Sequence, residues 1–332
     1  MKNFSIILLL SCYIFSFLAC KSDQSKTTTE PAASNKKLTI PKFDRDSAYY
    51  FVERQVAFGP RVPNTAAHQA TKNWLSDQLR TYGATVIEQD FDAKAYTGEI
   101  LKGTNIIGQY KPGARKRILL AAHWDSRHIT DNDPDETKRD LHVMGADDGA
   151  SGVGVLLEVA RSLQATPIEL GVDIVLYDVE DYGDPEGDNP NSWALGSQYW
   201  SRNLHTGGYN PKYGILLDMV GAKNPRLKKE GYSMQYAPGV VNKVWKLAQE
   251  MGYGNYFSSE IGGGITDDHY FVNRIAGIPM INIINLPNST NPVFVKHWHT
   301  TSDNMEVINK RTLGAVGQVL LAVIYNEEMG RF

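Results

Sequence analysis

The sequence predicts an α/β fold: a single open, mostly parallel mixed sheet flanked by helices on both faces. Three observations lead there. Five short runs rich in β-branched residues, several apolar on both faces, alternate along the chain with stretches of helical periodicity. A strand that is apolar on both faces needs cover on both, and helical crossovers between parallel strands supply it. Beyond residue 37 there is no internal repeat, no low-complexity block and no second linker, so residues 38–332 read as one domain.

The elements follow in order. Lys2 precedes a largely apolar run from Phe4 to Leu18, broken only by serines and, at about 15 residues, too short to span a bilayer but suited to a secretory signal. Its end, Phe17-Leu18-Ala19-Cys20, resembles a bacterial lipoprotein signal, in which the cysteine becomes the lipid-bearing first residue. Residues 1–19 are therefore expected to be a signal peptide and 20–37, polar and small, a flexible tether. The expected location is the periplasm or cell envelope, with membrane contact only through a lipid anchor at Cys20. Cys12 and Cys20 are the only cysteines, so the exported domain has no disulfide, and its stability must come from its core or a metal.

In the domain, helical periodicity covers 46–56 and 66–82, where Ala67, Ala70, Trp74, Leu75, Leu79 and Tyr82 share a face and Gly83 supplies a stop. Strands are expected at 104–110, 117–123, 172–178, 214–220 and 278–284. Helices at 150–163, 196–204, 240–251 and 312–327 come between and after them.

Charge excludes one class of partner. Lys and Arg total 34 against 37 Asp and Glu, a net charge of -3, so no surface for nucleic acid is expected. The acids are informative by position instead. In open sheets of this kind, sites gather at the carboxyl ends of the strands. There the sequence reads His123-Trp124-Asp125-Ser126, Asp178-Val179-Glu180-Asp181 and Asp218, together with Gly145-Ala146-Asp147-Asp148 opening a helix and His297-Trp298-His299-Thr300 near the end. Carboxylates collected at one edge repel one another unless a cation offsets them. Imidazole with carboxylate is a zinc donor set. The acidic stretches 132–136 and 184–188 lack calcium-loop spacing and read as solvated loop edges.

The ordered set of motifs resembles the exopeptidase-like α/β zinc hydrolases and, within them, the glutaminyl cyclases. It runs from Phe58-Gly59-Pro60-Arg61-Val62-Pro63 through His123-Trp124-Asp125-Ser126, Asp147-Asp148, Glu180-Asp181, Leu217-Asp218 and Asp267-Asp268-His269 to Trp298-His299-Thr300. The resemblance implies one zinc per chain, held by Asp148, Asp181 and His299, with Glu180 as general base and acid. The ligand beside that glutamate is usually Glu in the family; Asp181 is shorter by one methylene, which bears on the coordination geometry. Asp147, the other acid of its pair, reads as a helix cap. Asp218 and Asp267 correspond to a pair of acids that face each other through a shared proton, one of them contacting the substrate amine, and Trp298, Trp193 and His123 to groups around the substrate. The implied substrate is a peptide or protein with N-terminal glutamine, converted to pyroglutamate with release of ammonia.

Two other readings stand beside it. In aminopeptidases of this architecture the counterparts of His123 and Asp218 join Asp148 around a second zinc, and two metals activate a water for peptide hydrolysis. A surface lipoprotein that binds without turnover is the third. The tryptophans favour the cyclase, because folding a glutamine side chain back on its own amine needs a small apolar pocket.

Overall fold

The computed structural model describes residues 38–187, 189–288 and 293–332. The expected signal peptide and tether lie outside the described residues. Among those residues no helix is long and apolar enough to cross a membrane.

In chain order the elements are α1 (Arg45–Val56), α2 (Ala66–Thr81), β1 (Thr85–Lys94), β2 (Ile100–Tyr110), β3 (Arg117–His123), α3 (Ala150–Ala165), β4 (Gly171–Tyr177), α4 (Leu195–Arg202), β5 (Gly214–Asp218), β6 (Leu227–Lys229), α5 (Gly231–Tyr236), α6 (Pro238–Glu250), β7 (Phe257–Ile261), α7 (Asp268–Phe271), β8 (Met280–Ile284) and α8 (Lys310–Glu328). Side-chain caps mark several starts: Asp44 accepts from two N–H groups of α1, Thr65 from α2 and Asn309 from α8.

Six strands form the main sheet in the order β1-β2-β4-β3-β5-β8. β1 and β2 pair antiparallel, as do β2 and β4, whereas β3, β4, β5 and β8 run parallel. The expected α/β architecture is what the chain forms. Alternation along the central strands divides the interior. Ile118, Leu120 and Ala122 of β3 enter one core with α1, α3 and α8, while Leu119 and Ala121 face a second with Trp200 of α4 and Val272. All seven residues of β3 and of β4 are buried.

Because β3, β4 and β5 share a direction, His123, Asp178 and Asp218 arrive at the same edge. The loops that follow them face one another there. β1, β6, β7, α5 and α7 go beyond the sequence expectation. β1 is a half-exposed outer strand carrying three acids, and β6 and β7 form a small parallel pair apart from the main sheet.

Candidate active site

The site begins with β3. His123, its last residue, is wholly enclosed, with Nε2 3.0 Å from Asp148 Oδ1 and 3.3 Å from Asp218 Oδ1. The start of α3 brings Asp148 within reach of it. Gly149 has φ +72°, and a Cβ there would lie 2.6 Å from the His123 carbonyl oxygen and 2.8 Å from its ring, so only glycine permits this approach. Asp148 has its backbone N–H bound to Asp303, which also takes the N–H of Asp147.

Asp147 does not cap the helix. Gly149 holds that position without a side-chain bond. One Asp147 oxygen accepts the N–H groups of Gly221 and Ala222, at 2.7 and 3.1 Å, and the other lies 2.8 Å from His297 Nε2. The acid thus fastens the loop after β5 and the segment of His299 to the start of α3.

The loop after β4 carries Glu180 and Asp181. It turns at Val179, a β-branched residue with φ +54°, and two further positive values fall at the site, φ +46° at Met219 beside Asp218 and φ +55° at His299 itself. Such backbone persists where the surroundings enforce it, and it gathers at functional sites. His299 Nε2 reaches Asp181 Oδ1 at 3.0 Å and Asp148 Oδ2 at 3.7 Å, and its Nδ1 stands 3.2 Å from Asp131 Oδ1.

Two sets of donor atoms result. Asp148, Asp181 and His299 present ligand atoms within 4.8 Å of one another, and so do His123, Asp148 and Asp218, with Asp148 common to both. Every member is buried. Asp181 Oδ2 is enclosed without a hydrogen-bond partner, and Asp218 Oδ1 has only the His123 ring nitrogen near it, at 3.3 Å. Burial pushes the Asp181 carboxyl up, with Asp148 adding to it and His299 opposing. A divalent cation removes both problems, taking the orphaned oxygen and offsetting the mutual repulsion, so the residues present fit a metal ion.

The acids outside the first set are also shifted. Glu180 is held well above the ordinary carboxyl range by burial, opposed by His123 and reinforced by the charges of Asp267, Asp181 and Asp268. Asp218 is likewise raised by burial, with His123 opposing and Asp148 and Asp267 reinforcing. Burial raises Asp267 too, and its carboxylate accepts the side-chain N–H of Asn282 at 2.5 Å.

These groups open on one cavity of about 290 Å³, lined by Asp148, Glu180, Asp181, Asp218, Asp267 and His299 at its base and by Trp193, Trp298 and Phe294 on its walls. Trp298 stacks on the His299 ring at a centroid distance of 3.8 Å, and Trp193 on the same ring at 5.9 Å. The structure therefore brings together every site residue singled out in the sequence. His123 alone does not line the cavity; it stands behind Asp148 and Asp218.

Comparison with known proteins places the chain. Residues 105–324 match peptidase family M28. The chain belongs to that family. A glutaminyl cyclase of Bacteroides thetaiotaomicron, solved with N-acetylhistamine bound, is 53% identical to this M28 protein. The likeness covers 87% of this chain and 99% of that one, with a TM-score of 0.85. A protein of the same organism described as a leucine aminopeptidase precursor is 52% identical over 87% and 99% of the two chains, TM-score 0.83. The glutaminyl-peptide cyclotransferase of Drosophila melanogaster is 26% identical over 278 residues, 76% of this chain and 73% of its own. Within M28, the resemblance read in the sequence, to glutaminyl cyclases, holds.

The supports of the site were less visible in sequence. Arg61, with no exposed surface, gives its guanidinium to the carbonyls of Trp124, Met144 and Gly145 and so holds the β3 end against the approach to α3. Asp131, Asp303 and Phe294 were not singled out either. Asp303, four residues after His299, carries a signal in hindsight: an acid beside a metal-type histidine, with no basic neighbour in sequence.

Proposed function

We propose that this chain is a glutaminyl-peptide cyclotransferase: it closes the N-terminal glutamine of a peptide or protein to pyroglutamate and releases ammonia. One observation carries the reading. Three acids and a metal-fitting donor set form the base of a small cavity whose walls are aromatic. At about 290 Å³ it sits at the lower end of ligand pockets, room for one residue rather than an extended peptide. The cyclase relatives support the same reading.

Asp148, Asp181 and His299 would hold one zinc ion, which supplies Lewis acidity to the γ-amide carbonyl and offsets the negative charge that develops on its oxygen. Glu180, at the same base, takes a proton from the substrate α-amine as that nitrogen attacks the side-chain carbonyl carbon, and returns it to the departing ammonia. Its raised pKa suits a group that must both accept and give a proton near neutrality. Asp218 and Asp267 hold and orient the amine. Asp218 cannot both clamp an amine and complete a second metal set, and we assign it the first task, with His123 steadying it from behind. Trp193, Trp298 and Phe294 confine the side chain in its folded-back form and exclude water.

The test is mass spectrometry of a Gln-initiated peptide after incubation with the zinc-loaded protein. Loss of ammonia supports the proposal. Release of the whole first residue, with two tightly held zinc ions per chain, means the aminopeptidase reading instead.

Export as a cell-envelope lipoprotein with Cys20 lipidated belongs to the same proposal, on the strength of the apolar run and its Leu18-Ala19-Cys20 end. Retention of a C20S variant in the membrane fraction would refute it.

A further inference from the structure

Arg127, four residues past the end of β3, is wholly buried and spends its donors on the parts around it. Nε and one terminal nitrogen fork the carboxylate of Asp131, both at 2.9 Å. The other terminal nitrogen gives hydrogen bonds to the carbonyl oxygens of Asp181 and Gly183, both at 3.0 Å. Asp131 continues the line to His299 Nδ1, 3.2 Å away. The guanidinium carbon stands 4.6 Å from the centroid of the Trp193 ring, a cation–π contact in a dry setting.

Trp193 is held on two further sides, while its remaining surface faces the cavity. Its indole lies so close to Gly183 that a Cβ there would fall 1.9 Å from it, and it is nearly parallel to His299, at 13°. One cation therefore touches the backbone of Asp181, the acid behind His299, and the indole that walls the cavity. Lysine cannot reproduce this, because an ammonium neither forks a carboxylate nor presents a flat face.

We infer that Arg127 is a positioning residue that locks two metal ligands and one wall of the substrate pocket into a single unit, so that metal retention and substrate fit change together when it is altered. The inference rests on the reading of the site as a zinc-dependent glutaminyl cyclase.

R127K tests it beside two partial variants, D131N for the His299 branch and W193F for the wall, all as the zinc-loaded full chain. Folding is checked by circular dichroism. R127K is expected to release zinc to a chelator about 10-fold faster or more, and also to raise KM for Gln-initiated peptides at saturating zinc, with a smaller fall in kcat. D131N should show mainly the zinc effect and W193F mainly the KM effect. A folded R127K that keeps zinc as the native chain does, or loses it with KM unchanged, overturns the inference.

Should R127K not fold, the double variant D131N/W193F decides. If Arg127 joins the two branches, zinc release in the double variant departs from the product of the single effects; independence overturns the inference. Zinc release needs no turnover. A native protein that leaves Gln-peptides unchanged would therefore sink the functional reading while this comparison still gave its own answer.

Discussion

The carboxylate of Asp125 accepts the backbone N–H groups of both Glu180 and Asp181, one to each oxygen, at 3.1 Å. A residue at the end of β3 thereby fixes the loop at the end of β4, and with it the acid and one ligand of the proposed site. Val179, held at φ +54° just before, relies on this pin.

D125N follows from that geometry. The amide can accept one of the two N–H groups but sets a donor against the other, leaving a buried pair unmatched at a cost of about 1–3 kcal/mol. The expected result is a folded protein with a lower urea midpoint and a cyclisation rate reduced about 10-fold or more, since Glu180 and Asp181 lose their fixed spacing. An unchanged rate with reduced stability would confine Asp125 to the fold.

E180Q separates the proton-transfer group from the metal. Glutamine keeps the shape but cannot take a proton, so turnover of Gln-peptides should fall about 10²–10⁴-fold. Zinc content, measured on the purified variant, should stay at the native level, because Glu180 belongs to neither donor set. Near-native turnover would remove Glu180 from the mechanism.

How legible this was in the sequence varied with the physics of each element. β3 and β4 are buried on both faces, and their near-continuous apolar runs announced them. β1, with Glu88, Asp90 and Asp92 on an outer strand, draws its place from pairing with β2 along its whole length, which no local pattern records. Similarly, α7 is one short turn held by Asp267 and by contacts distant in sequence. Candidate donors stood out because metal-type residues recurred after successive strands, while the choice of ligands among them, and Asp267, came from the resemblance to the glutaminyl cyclases. Of their supports, Asp125 fell inside a strand-end motif without a role, whereas Arg127, Asp131 and Asp303 are ordinary charged residues until the fold shows what they hold.

G149A examines how closely the start of α3 is fitted to β3. With φ at +72° and the new Cβ 2.6 Å from the His123 carbonyl oxygen, alanine is strained twice, by its backbone and by the contact. The backbone alone costs about 1–3 kcal/mol. We expect a lower urea midpoint together with weaker zinc retention, because relief of the clash moves Asp148 away from His123. Weaker folding with zinc held as tightly as before would show that Asp148 is positioned from elsewhere.

Glu230 governs the behaviour of the opposite wall in acid. Fully buried, it caps α5 through the N–H groups of Tyr232 and Ser233, accepts the N–H of Ile265, and lies 2.8 Å from His269 Nε2. It thus binds α5 to the segment carrying Asp267. Burial works to raise its pKa, but the bonds from His269 and Ser233 outweigh it and lower the carboxyl from 4.5 to about 2. The unfolded chain then binds this proton more tightly than the folded one does. The stabilisation is complete above pH 4.5 and is lost as the pH falls through about 2, amounting to about 3 kcal/mol. E230Q should unfold at lower urea than the native protein at pH 7, and the gap should narrow steadily between pH 4.5 and 2 as the native carboxylate is protonated. A gap independent of pH over that range would mean that shape, not charge, holds Ile265 and His269 in place.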